Sequence, residues 1–216
     1  VAKRIAHEIK NPLTPIQLSA QRLRKKFFEK SPDFNKIFDE CTNTIVQEVN
    51  SIKTLVNEFS NFARMPAAMP SLNNLHEIIN EVILLYRGAH RDIRIINNFG
   101  GIPVINVDRE QMKRVFVNLF ENAVEAMNSK GTVWINTFYD DSLKLVKVEV
   151  SDDGVGINPD DKDKLFLPYF SKKKTGTGLG LAIVNRIVSE PSGYIRVADN
   201  KPKGTTFIIE LPVKAA

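Results

Sequence analysis

The sequence predicts an α+β chain in two parts: a helical hairpin, then an α/β sandwich with helices on one side of a mixed sheet. Three observations carry that expectation. Up to about residue 63 the apolar residues recur at steps of three and four, the period of one helix face. The stretch ARMPAAMPSL (Ala63 to Leu72) then places two prolines close together and breaks the period. Beyond it, amphipathic stretches alternate with short runs rich in β-branched and aromatic residues. A length of 216 residues, 43% hydrophobic and 25% charged, suits two units each able to bury a core. It excludes a disordered tail or a collagen-like repeat. No apolar run reaches the roughly 20 residues that span a bilayer.

In the first helix the apolar face is Ile5, Ile9, Leu13, Ile16, Ala20, Leu23 and Phe27. In the second it is Phe38, Cys41, Ile45, Val49, Ile52, Val56, Phe59 and Ala63. Between them EKSPDF (Glu29 to Phe34) stops the first helix at Pro32 and offers Ser31 or Asp33 as a cap for the second. Two helices alone bury one stripe each, so the hairpin is expected to pair with its own copy as a dimeric four-helix bundle. Residues 1–64 form this unit, 65–71 the linker and 72–216 the second domain. Cys41, the single cysteine, falls on the apolar face, so it reads as core in a reducing compartment. The net charge of +5 is concentrated partly in QRLRKKFFEK (Gln21 to Lys30). No base-stacking or groove-reading motif accompanies it, so direct nucleic-acid binding is not expected. Docking of an acidic partner protein is the functional reading it favours.

After the linker, LHEIINEVILLYR (Leu75 to Arg87) is an amphipathic helix, and IRIINNF and PVINVD are short strands. The long helix Arg109 to Ser129 follows, with Asp108 as its N-cap. GTVWINTFY and LKLVKVEVSD are strands, a helix runs from about Gly180 to Ser189, and YIRVAD and GTTFIIELP close the chain as strands.

Four stretches of this domain share one chemistry. Asn118 and Asn122 stand four residues apart, on one helix face, and their amide oxygens are hard ligands suited to Mg²⁺. SDDGVGI (Ser151 to Ile157) ends a strand with an acid before Gly154 and Gly156. A carboxylate held there can accept a hydrogen bond from the exocyclic amine of a base. SKKKTGTGLGLAIV (Ser171 to Val184) sets lysines before Gly176, Gly178 and Gly180 and opens a helix, a cradle for phosphates. Gly204 and Thr205 mark a strand entry. Each of these taken alone is more often plain surface, turn or loop.

Their order resembles the ATP-binding domain shared by gyrase, Hsp90, histidine kinases and MutL, the Bergerat or GHKL fold, over about Leu72 to Pro212. The resemblance implies ATP as cofactor, with Asn122 and Asn118 serving Mg²⁺ and Asp152 reading the adenine amine. It implies that Gly154 and Gly156 line the base pocket and that Phe166 and Phe170 anchor a mobile lid. Thr177, Leu179 and the glycines at 176, 178 and 180 would hold the phosphates, and Thr205 would support the pocket floor. Many histidine kinases have a lysine where Glu125 stands here, which shifts the expected countercharge to Lys172, Lys173 and Lys174. SEPSGYI (Ser189 to Ile195) also departs from the family's usual His-Gly-Gly.

Upstream, HEIKNPLTPI (His7 to Ile16) resembles the phosphoacceptor box of sensor histidine kinases, and Ala6 to Leu23 is most similar to the NtrY-type nitrogen-regulation kinases. The resemblance implies that His7 attacks the γ-phosphorus of ATP, Glu8 takes or orients the ring proton, and Asn11 orients water for hydrolysis of a phosphorylated partner. Neutral imidazole is a competent nucleophile near pH 7. Pro12 removes an interior N–H and is expected to kink the helix. The implied partners are a second copy of the chain and the receiver domain of a response regulator, with Arg22, Arg24, Lys25 and Lys26 as docking contacts. The alternatives are a nucleotide-binding dimeric scaffold and a regulator acting mainly as a phosphatase. The chain reads as the cytoplasmic portion of a bacterial sensor kinase, with membrane attachment only through segments upstream of Val1. His76 and His90 read as surface residues.

Overall fold

The computed structural model describes residues 2–63, 65–172 and 178–213, leaving aside the side chains of residues 2–8, 58 and 61–63. The chain divides into two compact units, Val1–Met65 with Pro168–Leu179, and Pro66–Leu167 with Gly180–Ala216. Among the described residues no helix is long and apolar enough to cross a membrane.

The first unit is the expected hairpin of α1 (Ala2–Phe28) and α2 (Phe34–Ala63). Ile37, Cys41 and Leu55 are buried in it, and Cys41 is core as its position predicts. Part of the α2 stripe is left uncovered, while Ile45, Ile52 and Phe59 are half-buried. Phe38, Val49 and Val56 stay 46%, 50% and 50% exposed, and Leu13 on α1 is 47% exposed. The apolar face is therefore wider than one antiparallel helix can cover. At the turn Phe27 meets Phe28 and Phe34 edge-on, and Phe34 meets Phe38, so the aromatic rings close the hairpin tip. α1 continues helically through Pro12 and Pro15.

In the second unit a five-stranded sheet has the order β2-β4-β5-β7-β6, formed by β2 (Ile93–Phe99), β4 (Gly131–Asp140), β5 (Leu145–Asp152), β6 (Tyr194–Asp199) and β7 (Thr205–Pro212). β2 runs parallel to β4 and the other neighbours pair antiparallel, so the sheet is mixed as expected. The parallel pair needs a long crossover, supplied by β3 (Ile105–Val107) and α4 (Arg109–Ala126). Alternation decides which face is covered. Val133, Ile135 and Thr137 of β4 and Val146, Val148 and Val150 of β5 are buried, while Thr132, Trp134 and Asn136 between them are only half-buried. The buried face packs against α3 (Leu75–Ala89), α4 and α6 (Gly180–Ser189), through Ile78 and Val82, Val115, Phe116 and Leu119, and Ile183 and Ile187. Helices thus lie on one side, as predicted.

In the second unit α3 and α4 each begin where a polar side chain takes an orphan N–H. The Asn74 side chain accepts from the His76 amide, and Asp108 accepts from the Gln111 amide at 3.0 Å. Two elements lie outside the expectations. β1 (Ser71–Asn73) pairs antiparallel with β3, and α5 (Pro159–Lys162) is a single turn capped by Asn158. His76 is not a surface residue. It is half-buried, stacked on Phe99 at 4.3 Å between centroids, with Nε2 2.9 Å from Thr137 Oγ1. Burial lowers its pKa from the ordinary imidazole value. His90 caps the end of α3 and is half-buried against Tyr86, so it too departs from the surface reading.

Candidate functional site

Asp152 is the last residue of β5 and is 3% exposed. Its Oδ1 accepts from the Gly154 amide at 2.9 Å and the Thr205 amide at 3.3 Å, and its backbone carbonyl accepts from Asn200 Nδ2 at 2.8 Å. Burial pushes its carboxyl above the usual aspartate range, opposed by those two backbone N–H groups. The side chain is held rigidly by one oxygen, the condition for presenting a carboxylate to a ligand in a fixed direction. The neighbouring Asp153 does something else. Its Oδ1 accepts from Thr132 N at 2.9 Å, which ties the loop to the start of β4.

The glycines here serve the protein's own packing. A Cβ on Gly204, whose φ is +106°, would overlap the Asp152 carbonyl oxygen, and one on Gly154 would lie 2.7 Å from the backbone of Ala126. Val155 N donates to the Ala126 carbonyl at 3.1 Å, so the loop after β5 sits on the end of α4. Thr205, 3% exposed, closes the floor beside Asp152, and Ser151 Oγ lies 2.8 Å from Thr206 Oγ1 across the same strand pair. Asn200 and the Ser151–Thr206 pair support the site without having been singled out in the sequence. The only local signal was the turn composition of DNKPKG.

Asn118 and Asn122 are half-buried on one face of α4. Asn118 Nδ2 donates to the Arg114 carbonyl and Asn122 Nδ2 to the Asn118 carbonyl, each at 2.8 Å. Both amide nitrogens are turned to the preceding turn, and the amide oxygens are the hard-ligand atoms of the pair. A Cβ on Gly180 would lie 2.7 Å from Asn118 Oδ1, which places the first residue of α6 against this pair. The donor set therefore fits Mg²⁺ beside a nucleotide, and the buried carboxylate fits a base. Phe166 is half-buried in the second unit. Phe170, Lys172, Gly178 and Leu179 belong to the first, where Tyr169 N donates to the Gly178 carbonyl at 2.9 Å and Leu179 is fully buried. Lys173, Lys174, Gly176 and Thr177 lie outside the described residues.

On the hairpin, His7 and Glu8 fall within α1, with side chains outside the description, while Asn11 is exposed and Pro12 buried. Pro12 and Pro15 lack the N–H groups that would reach the carbonyls four residues back, those of Glu8 and Asn11. This segment of α1 thus has two backbone carbonyls without their usual intrahelical donors.

A helical hairpin thus precedes a sheet-and-helix sandwich whose buried carboxylate and asparagine pair suit the binding of a nucleotide. Comparison with known proteins agrees. The model of the histidine kinase-, DNA gyrase B- and HSP90-like ATPase family matches residues 107–215, and that of the His Kinase A (phospho-acceptor) domain matches residues 1–68. The chain belongs to this ATPase family, and its first 68 residues match the phospho-acceptor domain. It is 37% identical over its full length to nitrogen regulation protein NtrY of Azorhizobium caulinodans, and 35% identical over 99% of its length to the sensory histidine kinase/phosphatase NtrB of Rhodobacter capsulatus. It spans 28% of the first relative and 61% of the second. Among solved structures, the catalytic domain of histidine kinase ThkA is 33% identical with a TM-score of 0.61, covering 67% of this chain and 95% of that one. ThkA in complex with the response regulator TrrA is 29% identical with a TM-score of 0.74, covering 99% of this chain and 61% of that one.

Proposed function

We propose that the chain autophosphorylates His7 from Mg-ATP and passes the phosphoryl group to an aspartate of a response regulator, working as a homodimer. The observation that carries the reading is the pairing of a buried, one-oxygen-held Asp152 and the Asn118–Asn122 pair with a hairpin that contains His-Glu-x-x-Asn. Asp152 receives the adenine amine, and the amide oxygens of Asn118 and Asn122 hold Mg²⁺, which neutralises phosphate charge when bound. Lys172 and Lys174, with Thr177 and the glycines at 176, 178 and 180, receive the phosphates. Gly154, Gly156, Leu179 and Thr205 shape the pocket, with Phe166 and Phe170 anchoring its cover. His7 Nε2 attacks in line, forming an N–P bond as the bond to the ADP oxygen breaks, and Glu8 accepts or orients the ring proton. Asn11, exposed on α1, orients water for the reverse, hydrolytic chemistry on the regulator.

Dimerisation is supported by the part of the apolar stripe that stays exposed, Phe38, Val49 and Val56. The relatives named NtrY and NtrB support a role in nitrogen regulation. The use of ATP and a receiver domain fits the cytoplasmic side of a sensor kinase, membrane-attached through other segments of a longer protein. Incubation with γ-labelled Mg-ATP is expected to give acid-labile, base-stable label on the protein. A His7→Ala variant that labels equally would remove His7 from the reaction.

A further inference from the structure

The segment that follows the hairpin is fastened to the nucleotide-binding helix by two side chains. Asp108 uses both carboxylate oxygens. Oδ1 caps α4 through Gln111 N at 3.0 Å, and Oδ2 accepts from the Met69 amide at 2.8 Å. One turn on, Gln111 Nε2 donates to the Pro66 carbonyl at 3.3 Å. Little else holds this stretch. Pro66, Ala67, Met69 and Pro70 are exposed, Met69 to 82%, and only Ala68 is half-buried. Ala68 and Pro70 line a groove of about 200 Å³ whose far wall is Ile187 and Pro191 at the end of α6. From Ser71 onward the chain is fixed differently, by the β1–β3 pairing and by Asn73 Nδ2 on the Val107 carbonyl at 2.9 Å.

We propose that Asp108 and Gln111 are positioning residues for phosphoryl transfer: together they latch the linker to the first turn of α4 and so set the length of tether through which the ATP-binding unit reaches a phosphoacceptor histidine. The proposal rests on the phosphotransfer reading above. Neither side chain touches nucleotide, since along α4 Gln111 stands about 10 Å from Asn118 and about 16 Å from Asn122. With the latch closed, the chain from the end of α2 at Ala63 to its first hold at Pro66 is three residues. With it open, the first hold is Ser71, eight residues on. Effective concentration at the end of a flexible tether falls roughly as the −3/2 power of its length, so release costs about fourfold. Two solvent-exposed hydrogen bonds are weak enough to open and close within the working range of the protein.

The test separates tether from fold. Asp108→Ser keeps an oxygen for the helix cap but cannot also reach Met69, and Gln111→Ala removes the second bond without touching the cap. In the double variant the urea midpoint and the affinity for a fluorescent ATP analogue are expected to stay within twofold of the parent. The Met69 amide is expected to lose its protection from hydrogen exchange, and the autophosphorylation rate at saturating Mg-ATP to fall about fourfold. Gln111→Lys, which keeps a donor, is expected to hold the parental rate. An unchanged or increased rate, or a loss of rate matched by a loss of nucleotide affinity, overturns the proposal. A parent that takes no label on His7 overturns the phosphotransfer reading and the latch's part in it together. Met69 exchange in the same samples decides separately whether the latch exists.

Discussion

Replacing Asp152 by asparagine isolates the contribution of one carboxylate oxygen. The variant keeps Oδ1, and with it the hydrogen bonds from Gly154 N at 2.9 Å and Thr205 N at 3.3 Å, so the strand end and its loop should retain their geometry. What changes is the second oxygen, which becomes an NH₂ donor facing the adenine amine. A charge-assisted hydrogen bond contributes about 1.5 to 3 kcal/mol, so ADP should bind about 10- to 150-fold more weakly. Fold stability should respond quite differently. Burial raises the Asp152 pKa, so between the ordinary aspartate value and the raised one the folded state holds a proton that the unfolded chain has lost. That contribution falls as pH rises from the ordinary aspartate value through the raised one, and is flat above it. Asparagine carries no such cost at neutral pH, which offsets the burial of its amide, and the unfolding free energy should move by less than about 1 kcal/mol. Calorimetric titration with ADP, alongside urea unfolding, reads both quantities. An inosine nucleotide, with an acceptor oxygen in place of the amine, should lose far less affinity than ADP. A fall in ADP affinity below about threefold, or one matched by a drop in stability, would refute the role given to Asp152.

Three further outcomes are expected. Gly204→Ala should lower stability by about 2 to 3 kcal/mol in urea unfolding, because its φ of +106° and the overlap with the Asp152 carbonyl act together. Parental stability should decline as pH falls below about 6.5 towards the lowered folded value of His76, since the unfolded chain takes up the proton first; His76→Gln should remove that slope. Val49→Asp should weaken dimerisation at least about 100-fold by analytical ultracentrifugation, with the helical circular dichroism of the hairpin largely kept, because each protomer would bury an unpaired carboxylate.

Much of this architecture was legible because its elements carry their own periodicity. β2, β6 and α6 occupy the spans read from IRIINNF, YIRVAD and the segment after the glycines, since alternation and turn residues bound each of them locally. β1 was not legible. Its three residues are held by β3 and by the Asn73 side chain, partners more than thirty residues away, and have no periodic pattern of their own. The surface reading of His76 failed for the same reason, because Thr137 lies 61 residues downstream and arrives only with the sheet. Within the site, the choice between Asp152 and Asp153 came from resemblance. The physical difference between them, burial against two amides for one and a tie to Thr132 for the other, exists only once β4, β5 and β7 are assembled. The glycines of SDDGVGI were legible as a place of close approach, but Gly154 approaches Ala126 of the chain itself.

Locating the phosphate directly gives the sharpest test of the whole account. After incubation with Mg-ATP and digestion under alkaline conditions that preserve an N–P bond, mass spectrometry of the Ile5 to Lys10 segment should place one phosphoryl group on His7, and omission of Mg²⁺ should abolish it. Phosphate on another residue, or an unmodified His7 in protein that binds ATP, would contradict the claim that this helix carries the phosphoacceptor.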